Sequence, residues 1–468
     1  MKKYRVLSIF LLLCVTLSLL TGVAAAGSGS AILDEMQIEA QAAVLLDADY
    51  GEVLFDQNAH VQRYPASITK VMTAMLTIEA INRGELSETQ IVTLGDELGV
   101  GIGEGGSTAD LKEGEELALK DLLACALVKS ANEACNALAV TVSGDVDTFV
   151  ALMNQRAAQL GMVGTHFTNT HGYHDDDHYT TAYDISLMCQ QAMTYELFRA
   201  IVSSKTYTVP ATNLSEQRVL YDTNGLISNW HYLGYTYEYA TGVKTGSTPE
   251  AGLCLASSAE KNGKHLIAVV LGAEKGTKAD GTVLYTQFSE SKRLLAWGFQ
   301  NFSRQEILTA NNILTTVPVT LGVDTDCVSV HPGGTLEASL PNDMDPSAFT
   351  VEWSLTQAAV EAPVTVGQVL GTITVSYGEG DAKTVYGTLD LVAYNSVERS
   401  NLLYTLDRIK KVVSSIWFRI LILVVIVAIL VLVIRRRLRR PRRGKQGRAY
   451  AYAGGRRGGA RRRGRFKK

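Results

Sequence analysis

From Arg435 to Lys468 this 468-residue chain has no aspartate or glutamate at all, against 17 lysines and arginines. The remainder holds 27 basic residues against 47 acidic ones, a net of −20 concealed within an overall −3. An acidic body joined to a basic tail does not suit a single solvent compartment. Cysteine is scarce too. Beyond the first 26 residues only Cys125, Cys135, Cys189, Cys254 and Cys327 remain, an odd number without paired metal-ligand spacing. That excludes a disulfide framework and predicts buried free thiols. Cys14 follows Leu11-Leu12-Leu13, so it lacks the small residues a lipid-modified cysteine needs before it. The glycine-rich residues 101–106 lack the Gly-Lys-Ser/Thr ending of a P-loop, which argues against phosphate binding there. No internal repeat is present.

Two apolar segments account for the charge asymmetry. Lys2, Lys3 and Arg5 precede an apolar run over residues 6–20, and Ala24-Ala25-Ala26 supplies small residues for cleavage; residues 1–26 read as a signal peptide. Residues 420–434 are continuously apolar, and residues 412–418 extend them toward membrane-spanning length. Arg419, near one end, can snorkel to the headgroups. Arg435-Arg436-Arg437 follow at once, so the positive-inside rule puts the tail, residues 435–468, in the cytoplasm and the body outside. The tail's Gly454-Gly455-Arg456-Arg457 stretch resembles nucleic-acid-binding segments, but beside an inner leaflet it reads more simply as a contact for anionic lipids; no nucleic acid is expected.

Between these ends the chain changes character once. Over residues 40–304, strand-like and helical stretches alternate. Residues 42–47 read as a strand and 51–55 as its hairpin partner. Ile68, Val71, Met72, Met75 and Leu76 have helical spacing, residues 119–142 form another helical tract, and residues 290–299 a closing helix. Residues 253–257 and 266–272 read as buried strands. Over residues 309–397 short β-type runs alternate with Gly/Asp turns. The expected fold is α+β: an antiparallel sheet flanked by helices, with a helical lobe, then a small all-β domain, a linker (398–411) and a transmembrane helix (412–434).

Three short motifs carry chemistry. Ser67-Ile68-Thr69-Lys70 is a Ser-x-x-Lys, Ser130-Ala131-Asn132 a Ser-x-Asn, and Lys244-Thr245-Gly246 a Lys-Thr-Gly. Ser-x-x-Lys alone is weak evidence, since it recurs at Ser258 with Lys261 and at Ser289 with Lys292. The ordered set is specific. Residues three apart share a helix face, so Lys70 can reach the Ser67 hydroxyl, and Pro65 suits a first helical turn. Serine needs an adjacent base to become a nucleophile, and Lys70 can act as one only when neutral. Burial and a nearby cation such as Lys244 would lower its pKa. Ser130 can relay a proton, Asn132 offers an amide donor and acceptor, Lys244 and Thr245 can hold a carboxylate, and Gly246 clears a side chain from a strand edge where a peptide would lie.

With these motifs in place the chain resembles the low-molecular-mass penicillin-binding proteins, serine-type D-Ala-D-Ala carboxypeptidases of peptidase family S11. The segments Pro65-Ala66-Ser67-Ile68-Thr69-Lys70-Val71-Met72, His178-Tyr179-Thr180-Thr181-Ala182-Tyr183-Asp184 and Gly242-Val243-Lys244-Thr245-Gly246-Ser247 extend the likeness, which covers roughly residues 41–397. The resemblance implies that Ser67 is the acyl-enzyme nucleophile, Lys70 its base and Ser130 the proton relay. Asn132, Lys244, Thr245, Gly246 and Ser247 would bind substrate, with backbone N–H groups of Ser67 and Ser247 as an oxyanion hole. It implies a peptidoglycan stem peptide ending in D-Ala-D-Ala as substrate, β-lactams as inhibitors, and neither cofactor nor metal. An arginine common in the family near the start of the closing helix is replaced here by Gln287. The same residues also fit a D,D-endopeptidase acting on crosslinked peptide. A β-lactamase needs a deacylating glutamate, for which Glu196 is the one faint candidate; a non-catalytic wall-binding scaffold would not keep all three motifs intact. His171, His174, Asp175, Asp176, Asp177 and His178 hold zinc-compatible side chains but read as a polar loop.

Overall fold

A computed structural model describes residues 36–278, 280–378 and 383–439. The expected signal peptide, and the tail from residue 440 onward, lie outside the described residues. The chain runs β1 (Ala42–Asp47), β2 (Glu52–Gln57), α1 (Lys70–Asn82), α2 (Leu119–Leu127), α3 (Asn132–Ser143), α4 (Val146–Gln159), α5 (Ala182–Ala192), α6 (Glu196–Val202), β3 (Ala240–Thr248), β4 (Gly252–Lys261), β5 (Lys264–Ala273) and α7 (Thr286–Asn301). The strands form one antiparallel sheet in the order β2-β1-β5-β4-β3, which leaves β3 as an edge.

The sheet is covered on both faces, and the period-2 alternation of its strands sorts side chains between two cores. Along β1, Ala42, Val44 and Leu46 enter the core shared with α1 to α5, while Ala43 and Leu45 enter the core shared with α7. Along β5, Ile267, Val269 and Leu271 face the first core and Leu266, Ala268 and Val270 the second. This double coverage is why residues 42–46 and 266–271 are apolar without alternation. Helix α1 runs through the first core, with Val71, Met72, Ala74, Met75, Leu76 and Ile78 all buried.

The tract over residues 119–142, read from the sequence as one helix, is two. Helix α2 stops at Leu127 and α3 begins at Asn132, because Ser130 adopts a left-handed backbone (φ 66°) that no α-helix accommodates. No glycine or proline marks the break.

Two compact units emerge. The first takes in all these elements and most of the following β region. There β6 (Phe302–Leu308) pairs with Leu336–Pro341, and an antiparallel sheet joins Thr350–Leu355, Val369–Tyr377 and Thr384–Ala393, the last pairing with residues 330–332. Glu52 on β2 accepts the Ser339 N–H at 2.7 Å, and the Tyr50 hydroxyl donates to Glu337 at 2.6 Å, tying the first hairpin to this region. In the second unit, residues 319–320 run parallel to Val360–Glu361, and Val364 bridges Val397. The stretch expected to be a plain linker holds helix α8 (Asn401–Ser414). Ser415 then caps α9 (Ile416–Leu438), its hydroxyl accepting the Phe418 N–H at 3.2 Å. Helix α9 is long and apolar enough to cross a membrane.

Candidate active site

The first wall of the site is the turn before α1. Pro65 leads into a 3-10 turn, Ala66–Thr69, so Ser67 stands just ahead of the α-helix and Lys70 is its first residue. Ala66 has φ 47°, a left-handed conformation costly for an alanine. Lys70 is fully buried, and its Nζ lies 2.7 Å from Ser67 Oγ and 2.9 Å from the His171 carbonyl oxygen. Burial brings its pKa down to about 8, with Cys135 and Glu133 pulling the other way. The sequence assigned part of this lowering to Lys244. Burial is the largest cause, and the repulsion between Lys70 and Lys244 disfavours both being protonated at once.

The second wall is the loop joining α2 to α3. Ser130 and Asn132 are both buried there. The Asn132 N–H donates to Ser107 O at 2.8 Å, and the Glu133 carboxylate accepts the Thr108 hydroxyl and the Ala109 N–H, both at 2.7 Å. The segment around Ser107 is thereby fixed beside the Ser-x-Asn loop.

The third wall is the edge strand β3. Lys244 is buried, its Nζ 3.1 Å from the Thr245 carbonyl oxygen, and the Thr245 hydroxyl lies 2.7 Å from that of Thr223. Burial, and after it the charge of Lys70, lowers the Lys244 pKa, while the carboxyl of buried Asp222 raises it. Asp222 is itself raised by burial. Each lysine thus has a buried carboxyl raising its pKa, Glu133 for Lys70 and Asp222 for Lys244.

Gly246 has a packing reason for being glycine besides the one expected. A Cβ there would sit 2.7 Å from the Pro65 carbonyl oxygen and 3.3 Å from the Ser67 nitrogen. The missing side chain lets β3 close on the nucleophile turn. Gly172 does the same from the other side, where a Cβ would collide with the Ala66 carbonyl.

The three walls enclose a cleft of about 380 Å³ onto which Ser67, Asn132 and Ser247 open, with residues 104–107, Tyr173 and Glu250 around them. Lys70, Ser130, Lys244, Thr245 and Gly246 stand behind or beside this lining. Glu196 is exposed in the first turn of α6 and is not among the residues lining the cleft. The histidine cluster disperses. His171 and His178 are buried, and burial pushes both pKa values down to about 3. His174 pairs with Asp176 at 3.4 Å, and no three His, Cys, Asp or Glu among the described residues are placed to hold a metal. Gln287 is buried in the first turn of α7 with its Oε1 unpartnered. Four of the free thiols, Cys125, Cys135, Cys189 and Cys254, are buried as expected, and Cys327 is half-buried. Sequence reasoning missed Asp222, Thr223 and the His171 carbonyl. A turn-like Asp-Thr-Asn-Gly and a main-chain oxygen give no sequence signal of their own.

The family model for D-alanyl-D-alanine carboxypeptidase, peptidase family S11, matches residues 29–275. The chain belongs to this family. Among curated S11 carboxypeptidases, DacA of Escherichia coli is 32% identical over 365 residues, covering 75% of this chain and 81% of that protein. DacF of Bacillus subtilis is 32% identical over 288 residues, covering 62% and 69%. Among solved structures, penicillin-binding protein 5 of Haemophilus influenzae superposes with a TM-score of 0.61 at 29% identity, covering 78% of this chain and 99% of that one. The S11 catalytic architecture is therefore the one seen here, and it bears the three motifs on the three walls.

Proposed function

We propose that the chain removes the terminal D-alanine from peptidoglycan stem peptides through an acyl-enzyme on Ser67, and that β-lactams acylate the same serine. The observation that carries this reading is the fully buried Lys70 with its Nζ 2.7 Å from Ser67 Oγ. A lysine with its pKa brought down to about 8 is neutral in a useful fraction of molecules near neutral pH.

Neutral Lys70 takes the Ser67 proton as the oxygen attacks the carbonyl of the penultimate D-alanine. Negative charge develops on that carbonyl oxygen, opposite the backbone N–H groups of Ser67 and Ser247. Lys244 and Thr245 receive the terminal carboxylate, whose charge favours the protonated lysine, while Asn132 aligns the peptide backbone. Ser130 passes a proton to the departing amine, and free D-alanine leaves. Water then hydrolyses the ester, with Lys70 again available as base.

The body works outside the cell and α9 crosses the membrane once, its arginine end inward, where the tail meets anionic lipids. Helix α8 supports the anchoring. Leu402, Leu406, Ile409 and Val413 recur at helical spacing and are exposed, as are Arg408, Lys410 and Lys411, directly ahead of the span.

The deciding experiment offers a pentapeptide ending in D-Ala-D-Ala and follows D-alanine release with and without penicillin. Release that penicillin blocks, and that Ser67→Ala abolishes, is the expected result; release unaffected by either would end the proposal.

A further inference from the structure

His178 takes no part in the chemistry just described, yet its ring is bonded to the turn that carries the nucleophile. It is 2% exposed, and its Nε2 lies 2.8 Å from the Thr69 hydroxyl. That hydroxyl is also 2.9 Å from the Ala66 carbonyl oxygen. A carbonyl has no proton to give, so the single Thr69 proton goes to Ala66 and the imidazole must be the donor to Thr69. At the other end of the ring, Nδ1 faces the Thr168 N–H at 3.1 Å and, less closely, the Thr168 hydroxyl at 3.3 Å, which can also donate to it. An amide N–H only donates, so Nδ1 must accept. Two independent partners thus fix one state, the neutral ring with its proton on Nε2. An imidazolium would set Nδ1–H against the Thr168 N–H. The burial that pushes the His178 pKa down to about 3 favours the same state.

The far end of this chain of bonds matters for the reaction. The Ala66 carbonyl and the Ser67 N–H belong to one planar, trans peptide unit, so fixing the direction of one fixes the other. Ala66 is the residue whose φ of 47° an alanine would readily abandon. We propose that His178 is a positioning residue, which through Thr69 and the Ala66 carbonyl holds the Ser67 N–H toward the cleft as an oxyanion donor. This rests on the acyl-enzyme reading of Ser67. Loss of His178 then weakens a bond used mainly in the transition state and leaves ground-state binding largely untouched.

The test is a double-variant cycle on full-length, detergent-solubilised protein, following penicillin acylation by stopped flow. His178→Leu should lower the acylation rate constant on the order of tenfold to a hundredfold, with the dissociation constant of the non-covalent complex nearly unchanged. His178→Gln, whose amide NH2 can stand where Nε2 stood, should recover most of the rate. Thr69→Val should lower the rate as well, and adding His178→Leu to it should cost little more, because the path is already cut. Multiplying effects in the double variant, or a loss confined to binding, overturns the proposal. If His178→Leu does not fold, nitrogen-15 histidine spectra of the wild type decide, with His178→Gln assigning the resonance. A neutral Nε2–H ring from pH 5 to 9 (~ four units, spanning an ordinary histidine pKa) is expected; an Nδ1–H ring, or titration in that range, overturns it. Persistent penicillin labelling of Ser67→Ala would instead refute the underlying acyl-enzyme reading.

Discussion

The roles proposed for Lys70 and Lys244 separate by position. Burial lowers both lysines, Lys70 to about 8 and Lys244 to about 7, and each has a buried carboxyl raising it, Glu133 and Asp222 respectively; what distinguishes them is place, Lys70 against Ser67 Oγ and Lys244 on the edge strand. Lys70→Arg keeps a cation that cannot deprotonate, so acylation by penicillin should fall on the order of a hundred- to ten-thousand-fold and stay low at high pH. Lys244→Arg keeps a cation of different shape and should retain measurable acylation with weaker substrate binding. The comparison is decided by acylation rates of both variants across pH; a deader Lys244→Arg would reverse the assignment. The wild-type profile has a definite sign. Only the deprotonated lysine is a base, so the rate should climb with pH and level off above about 8. The motif order made these residues legible from the sequence, since Ser-x-x-Lys, Ser-x-Asn and Lys-Thr-Gly each leave a local pattern. The counter-charge on Asp222 and the clamp on Thr69 were not legible, because each depends on which segments fold against one another.

Strands and helices were readable wherever burial imposed a period or an unbroken apolar run. Residues 42–47 were placed without error, and the closing helix was found but begun four residues late, at Glu290 instead of Thr286. The break between α2 and α3 was missed because Lys129-Ser130-Ala131 has ordinary helix-compatible composition, and nothing in it announces the left-handed Ser130. The packing demand on Gly246 was not legible for a related reason: its neighbour in space, Pro65, is remote in sequence. The junction between β2 and the β region yields a prediction of its own. Burial raises the Glu52 carboxyl to about 7 from 4.5. A carboxyl raised on folding favours the folded state at acid pH, and that contribution is lost as pH rises through about 7. Glu52→Gln can still accept the Ser339 N–H without carrying charge. It should melt higher than wild type at pH 8, by an amount worth on the order of 1–3 kcal/mol, with the gap closing toward pH 5. An unchanged gap between the two pH values would show that Glu52 does not titrate as stated.

Taken whole, the chain is an acidic body followed by an amphipathic helix, an apolar helix and a basic tail. Protease added to intact, wall-stripped cells should digest the body and spare an epitope placed after Arg435; an epitope cut from outside would invert the topology. The membrane segment was legible as composition, but α8 was not, because it was read as a connector although Leu402, Leu406, Ile409 and Val413 already mark its stripe. Ser415 separates α8 from α9 by a single residue outside helix, with its own side chain capping the second helix. An enzyme anchored through α9 as proposed would search in two dimensions. Its encounters with substrate then depend on its density per area of membrane, not on its concentration in a volume. The depth of wall such an enzyme could trim would be set by the length of its own tether.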